Sequence, residues 1–143
     1  MARPPTAVVD ASVAAKWFLT EPGTEAAIEL RQRHLDGEVR LVAPDLLVYE
    51  VANALRYHPR IGAEPWADHI GDLFALDIGF DPASEPSMRA TIGAAFRYGL
   101  SVYDAAYIAL AERLDTVLYT ADDSLLRAAG PRGQPIRSVR PSG

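Results

Sequence analysis

The sequence predicts an α/β domain built on a largely parallel sheet with helices on both faces. Short apolar runs with the character of buried strands (Ala7 to Val9, Arg40 to Ala43, Ile78 to Phe80, Thr116 to Tyr119) alternate with longer stretches of helical periodicity. No Asn-Gly or similar hairpin turn joins neighbouring strands, which favours parallel pairing through helical crossovers. At 143 residues and 49% apolar content the chain suits one domain with a real core, expected over 1–143, the last ten or so residues forming a tail.

Thr6–Leu19 (TAVVDASVAAKWFL) reads as a buried strand ending on Asp10 and running straight into a helix from about Ser12, with Val13, Trp17 and Phe18 inward. Pro22 and Gly23 stop that helix. A second helix is expected over Thr24–Asp36, with Ala27, Ile28, Leu30 and Leu35 in the core and Gly37 as its stop. After the Arg40–Ala43 strand, Leu46–Tyr57 forms a third helix, apolar at Leu47, Val48, Val51, Ala52 and Leu55. His58–Pro65 reads as a loop, Trp66–Leu76 as a fourth helix and Ile78–Phe80 as a strand.

A fifth helix spans Glu85–Tyr98, its period marked by Met88, Ile92, Ala95 and Phe96, and Gly99 ends it. Ser101 caps a sixth helix through Leu114, with Tyr103, Ala106, Tyr107 and Leu110 on the apolar side. Thr116–Tyr119 is the last clear strand, and Ala121-Asp122-Asp123-Ser124 leads into a short helix. Gly130 to Gly133 is a turn, with Ile136–Val139 as an edge strand.

Composition removes several chemistries. There is no cysteine, so disulfide frameworks, zinc ribbons and thiol nucleophiles are excluded. Charges interrupt every helix-length apolar run, and Asp10 and Lys16 break the N-terminal one, so a soluble, cytoplasmic protein is expected. The net charge of −5 argues against a broadly basic nucleic-acid surface. Lys16 is the only lysine and the other 13 basic residues are arginines, the better fork for phosphate.

The acids carry the candidate chemistry. Asp10 lies where parallel sheets open toward ligands, although it competes with Ser12 for the helix cap. Glu50 stands among Leu47, Val48, Val51 and Ala54, so it needs a cation, a hydrogen-bond donor or a proton. An arginine or Lys16 would satisfy it in a structural ion pair, and Asn53, three residues on, would orient it. Asp104 falls three residues after Ser101, the spacing of a capping box. Of Asp122 and Asp123, one is expected to cap the last helix and leave the other free, with Thr120 and Ser124 beside them. Four such carboxylates drawn within a few ångströms would repel unless a cation were present. Oxygen-only ligands, with His34, His58 and His69 elsewhere, select Mg²⁺ or Mn²⁺ over zinc.

VVDASVAAKWF, PDLLVYEVANAL, LSVYDAAYIALAE and LYTADDSLL, in that order, resemble the four signature blocks of the PIN domain, and most closely those of VapC-type toxins of toxin–antitoxin pairs. The resemblance implies a three-layer α/β/α sandwich and a metal-dependent endoribonuclease that hydrolyses RNA with a metal-activated water. It places Asp10, Glu50, Asp104 and Asp122 in the catalytic, metal-binding quartet, with Asp10 and Asp104 the most direct ligands. Ser12 and Thr120 match the hydroxyl residues near the site, and Asp123 is an accessory position. It also implies a homodimer and a small cognate antitoxin that occludes the groove. Arg56, Arg60, Arg89 and Arg97 are candidates for RNA backbone contacts.

Other readings compete. A haloacid dehalogenase-type phosphatase wants a second acid where Ser12 stands, and a receiver-type phosphoacceptor domain wants a late lysine that is absent. No Gly-rich loop precedes a Lys-Ser or Lys-Thr pair, which removes P-loop nucleotide binding. A catalytically inactive PIN-fold binding or assembly module keeps the fold without the reaction.

Overall fold

The computed structural model describes residues 3–57 and 62–140. Five strands form one sheet in the order β3-β2-β1-β4-β5, and all four pairings are parallel. β1 (Thr6–Val9) is central, flanked by β2 (Arg40–Pro44) and β4 (Leu118–Thr120), with β3 (Gly79–Asp81) and β5 (Gly133–Pro135) at the edges. Val8 and Val9 are fully buried, as a strand covered on both faces requires. The helices on the two faces give the α/β/α sandwich that the alternating pattern predicts.

The first helix is shorter than its periodicity suggests. α1 (Ala11–Ala14) passes into a 3₁₀ turn at Ala15–Trp17. Trp17 then donates from Nε1 to the carbonyl of Ala27 at 2.8 Å, clamping this turn to α2 (Thr24–Leu35). Only Ala27 and Leu30 of α2 are buried; Ile28 and Leu35, expected in the core, are exposed because the helix touches the domain along one narrow stripe.

α3 (Leu46–Leu55) buries Leu47, Val51 and Leu55, one residue per turn. α4 (Ala63–Ala75) begins three residues before the expected Trp66. Pro65 belongs to its first turn, where a missing N–H costs nothing, and so does not break it. Of the expected His58–Pro65 loop, residues 58–61 lie outside the described residues.

α5 (Glu85–Tyr98) has the expected bounds and a reciprocal cap between Ser84 and Ser87, but its buried face is Ser87, Thr91 and Ala94. Met88, Ile92 and Phe96 point outward, Phe96 at 91% exposure. Small residues let α5 lie close against α6 (Val102–Arg113), so the larger apolar side chains take the other face. α7 (Asp123–Ala129) follows β4. The last strand is Gly133–Pro135, not Ile136–Val139; Ile136–Ser138 is a 3₁₀ turn that tucks Ile136 and Val139 into the core. No described helix is long and apolar enough to cross a membrane.

Candidate active site

In this strand order the chain runs outward in opposite directions from β1 and β4, which makes the crevice at their carboxyl ends the topological switch point where parallel sheets bind ligands. Val9 pairs with Tyr119, so Asp10 and Thr120 emerge side by side. Asp10 is 4% exposed. Its Oδ1 accepts from the Ser12 hydroxyl at 2.7 Å and the Val13 amide at 3.1 Å, and its Oδ2 from the Thr120 hydroxyl at 2.5 Å. Asp10, not Ser12, is therefore the cap of α1. Ser12 Oγ accepts from the Ala121 amide at 2.9 Å, and Thr120 Oγ1 from the Asp122 amide at 3.0 Å. Each hydroxyl spends its one proton on Asp10 and its lone pairs on the β4–α7 loop, stitching the two sequence-distant blocks together.

Asp122 is the cap of α7. Its Oδ1 accepts from the amides of Ser124 and Leu125 and from the Ser124 hydroxyl, at 2.9, 3.2 and 2.9 Å. The carboxylate left over from capping is thus Asp123, but it is exposed and turned toward Arg137, 3.8 Å away. Ser101 caps α6 by accepting from the Asp104 amide at 3.1 Å, which sets Asp104 on the first turn.

Glu50 is half-buried and makes no ion pair among the described residues: Lys16, a candidate partner, is bound to Glu21 at 2.9 Å. Glu50 Oε1 instead accepts from the Tyr107 hydroxyl at 2.5 Å. Asn53 is exposed and does not orient it. Tyr107, assigned by periodicity to the apolar side of α6, is the contact the sequence reading missed. A buried tyrosine needs a partner for its hydroxyl, and that rule was the available signal.

The four acids feel one another. Burial pushes Asp10 up from 3.8 to about 6, with the charge of Asp122 adding to it and the bonds from Ser12, Thr120 and Val13 opposing it. Burial also raises Glu50, aided by the charges of Asp10 and Asp104 and opposed by Tyr107. Asp104 is raised by burial and by Asp122, against the Ser101 hydrogen bond. For Asp122 burial acts upward too, but the Leu125 and Ser124 donors outweigh it and Arg127 helps to hold it low.

In chemistry, though not in spacing, this donor set suits a hard divalent cation. It is all oxygen, and neither Asp10, Glu50 nor Asp104 is ion-paired with an Arg or Lys among the described residues. The expected crowding to a few ångströms is not met: among the described residues no three His, Asp or Glu side chains stand at ion-holding spacing. Repulsion between uncompensated carboxylates favours such spreading, and both Asp10 oxygens are turned onto hydroxyls. Of the arginines considered for RNA, Arg89 pairs with Glu85 and Arg97 with Glu112, Arg56 stacks on Tyr57, and Arg60 lies outside the described residues.

Comparison with known proteins agrees with this architecture. The PIN domain family matches residues 7–131. Ribonuclease VapC3 of Pyrobaculum aerophilum is 34% identical over 125 residues, covering 82% of this chain and 90% of that protein. Exonuclease VapC9 of the same organism is 33% identical over 87 residues, covering 61% of this chain and 65% of that protein. The crystal structure of PAE2754, also from P. aerophilum, superposes with a TM-score of 0.64 at 27% identity, covering 94% of this chain and 91% of that one. A buried acid at the switch point, Glu50 and Asp122 coupled to it and Asp104 coupled to those two, and a family match across most of the length converge on one assignment: the chain belongs to the PIN domain family, with VapC-type nucleases among its relatives.

Proposed function

We propose that the protein is a Mg²⁺- or Mn²⁺-dependent endoribonuclease and the toxin half of a toxin–antitoxin pair, acting in the cytoplasm. What supports the reading is the buried Asp10 at the switch point and the pairwise charge links that join it, Glu50, Asp104 and Asp122, three of the four raised and none of those three ion-paired among the described residues. Asp10 and Asp104 would hold the cation, with Glu50 and Asp122 completing the set. A bound divalent ion supplies charge neutralisation at the attacked phosphate and a more acidic water. Glu50 Oε2 and Asp122 Oδ2 accept no hydrogen bond from the described residues and are the oxygens available to orient that water or take its proton. Ser12 and Thr120 keep Asp10 fixed, while Asp123 takes an accessory place at the rim, on Arg137.

The similarity to proteins named ribonuclease and exonuclease supports nuclease chemistry. The endonucleolytic mode, the RNA substrate and the antitoxin rest on the resemblance to VapC-type toxins. A site with this much negative charge, in which among the described residues only Arg127 compensates Asp122, suits an antitoxin that inserts a basic side chain. A homodimer is supported by the outward row Met88, Ile92 and Phe96.

The test is cleavage of a circular RNA pool, which only an endonuclease opens, during Mn²⁺ or Mg²⁺ titration. Linear products are expected from the unmodified chain, with at least a hundredfold loss in Asp10→Asn and Asp104→Asn, the scale of removing a group the reaction requires. Equal cleavage by the variants would remove the proposed site. No cleavage by the unmodified chain with either ion would leave the inactive PIN module in its place.

A further inference from the structure

We propose that Tyr107 is a positioning residue, whose hydroxyl holds Glu50 in the orientation that leaves its second carboxylate oxygen free for a divalent cation. The inference rests on the cation-dependent reading above and adds a residue to it. Tyr107 stands on α6 three positions after Asp104, is 2% exposed, and reaches across 57 residues of sequence to donate to Glu50 Oε1 at 2.5 Å. One hydroxyl thus connects the helix carrying Asp104 with the helix carrying Glu50.

Among the described residues, Tyr107 is the one hydrogen-bond donor to the Glu50 carboxylate. Glu50 is half-buried on α3, and no second hydrogen bond or ion pair to its carboxylate exists among the described residues. A glutamate side chain has three rotatable torsions, and fixing them before a ligand arrives removes that entropy cost from binding. Hydrogen bonds to carboxylates that ligate metals orient them, and losing one costs about 10- to 100-fold in metal affinity or activity. The ring of Tyr107 packs into the main core independently of its hydroxyl, so Tyr107→Phe keeps the packing and deletes only the bond to Glu50.

The test is Mn²⁺ binding without RNA, followed by the loss of the free-ion signal in electron paramagnetic resonance. The proteins compared are the unmodified chain, Asp10→Asn, Tyr107→Phe, Glu50→Ala and the double variant Glu50→Ala/Tyr107→Phe, with thermal unfolding of each. Tyr107→Phe is expected to weaken Mn²⁺ binding about tenfold, and to add nothing once Glu50 is alanine. Glu50→Asp, one methylene shorter and out of reach of the hydroxyl, is expected to weaken binding similarly and keeps the idea testable if Tyr107→Phe unfolds. Mn²⁺ affinity within twofold of the unmodified chain in Tyr107→Phe, or in Glu50→Asp should the former unfold, overturns the inference. So does an equal loss from Tyr107→Phe in the alanine background. If binding is lost in Asp10→Asn but kept in Tyr107→Phe, the metal site stands and only the inference falls. If the unmodified chain binds no Mn²⁺, both fall.

Discussion

Replacing Asp10 by asparagine should make the cation-free protein more stable at neutral pH, although it destroys the proposed site. The Asp10 carboxyl is raised from 3.8 to about 6, chiefly by burial. Between those two values the folded chain binds the proton more tightly than the unfolded one, so stability falls as pH rises and the loss is complete above about 6. The shift corresponds to about 3 kcal/mol at pH 7.5. Asparagine carries no charge to desolvate. Its oxygen still accepts from Ser12 and the Val13 amide, and Thr120 has only to turn its hydroxyl to accept instead of donate. Most of the 3 kcal/mol should therefore reappear as stability, raising Tm by about 5–10 °C in EDTA at pH 7.5 and by almost nothing near pH 4. Mn²⁺ should first cancel and then reverse the order, since an ion stabilises the unmodified fold by about 2.7 kcal/mol at a hundred times its Kd and by about 4.1 kcal/mol at a thousand times. Urea or thermal unfolding at pH 4, 6 and 7.5, with EDTA or Mn²⁺, reads all of this. Asp10→Asn less stable than the unmodified chain at pH 7.5 in EDTA would refute the reasoning, because the hydrogen bonds to the carboxylate would then outweigh its burial.

Two further predictions concern surfaces away from the acids. Gly133→Ala should cost about 1–3 kcal/mol in urea unfolding, because its Cβ would stand 2.8 Å from Leu126 Cδ1 and 3.0 Å from the Leu126 carbonyl oxygen; an unchanged midpoint would show that α7 yields freely. Phe96→Glu should convert the proposed homodimer to a monomer in light scattering while circular dichroism stays unchanged, and a dimer that survives this charge would place the interface elsewhere.

The sheet was legible because each strand is a short apolar run bounded by turn residues, and strands buried on both faces leave that mark wherever they sit. The register of the last strand was not. Ile136 and Val139 have strand-like composition, yet Gly133–Pro135 takes the edge, because Gly133 alone can lie against the Leu126 carbonyl. Helix faces were read well where the core is aliphatic, as for Leu47, Val51 and Leu55, and badly where small residues make the contact, as for Ser87, Thr91 and Ala94 on α5. Of the candidate site, Asp10, Asp104 and Asp122 stood out at strand ends and helix starts, Glu50 stood out as a charge inside an apolar helical run, and the resemblance to the PIN blocks grouped the four. Their supports are long-range and depend on side-chain direction: Thr120 on Asp10 spans 110 residues and Tyr107 on Glu50 spans 57. Asp10 and Asp122 are both helix caps and members of the proposed site, and since a capping carboxylate keeps a second oxygen, a cap signature at a strand end does not argue against a functional role.

In the proposed site, carboxylates from four separate segments share one divalent ion. Anomalous diffraction from crystals of the unmodified chain soaked in Mn²⁺ measures this directly. A peak with oxygens of Asp10 and Asp104 at about 2 Å, and Glu50 and Asp122 bordering the same ion, is the predicted result. A saturating soak that leaves this crevice without a peak, or that puts the ion on other side chains, would contradict it.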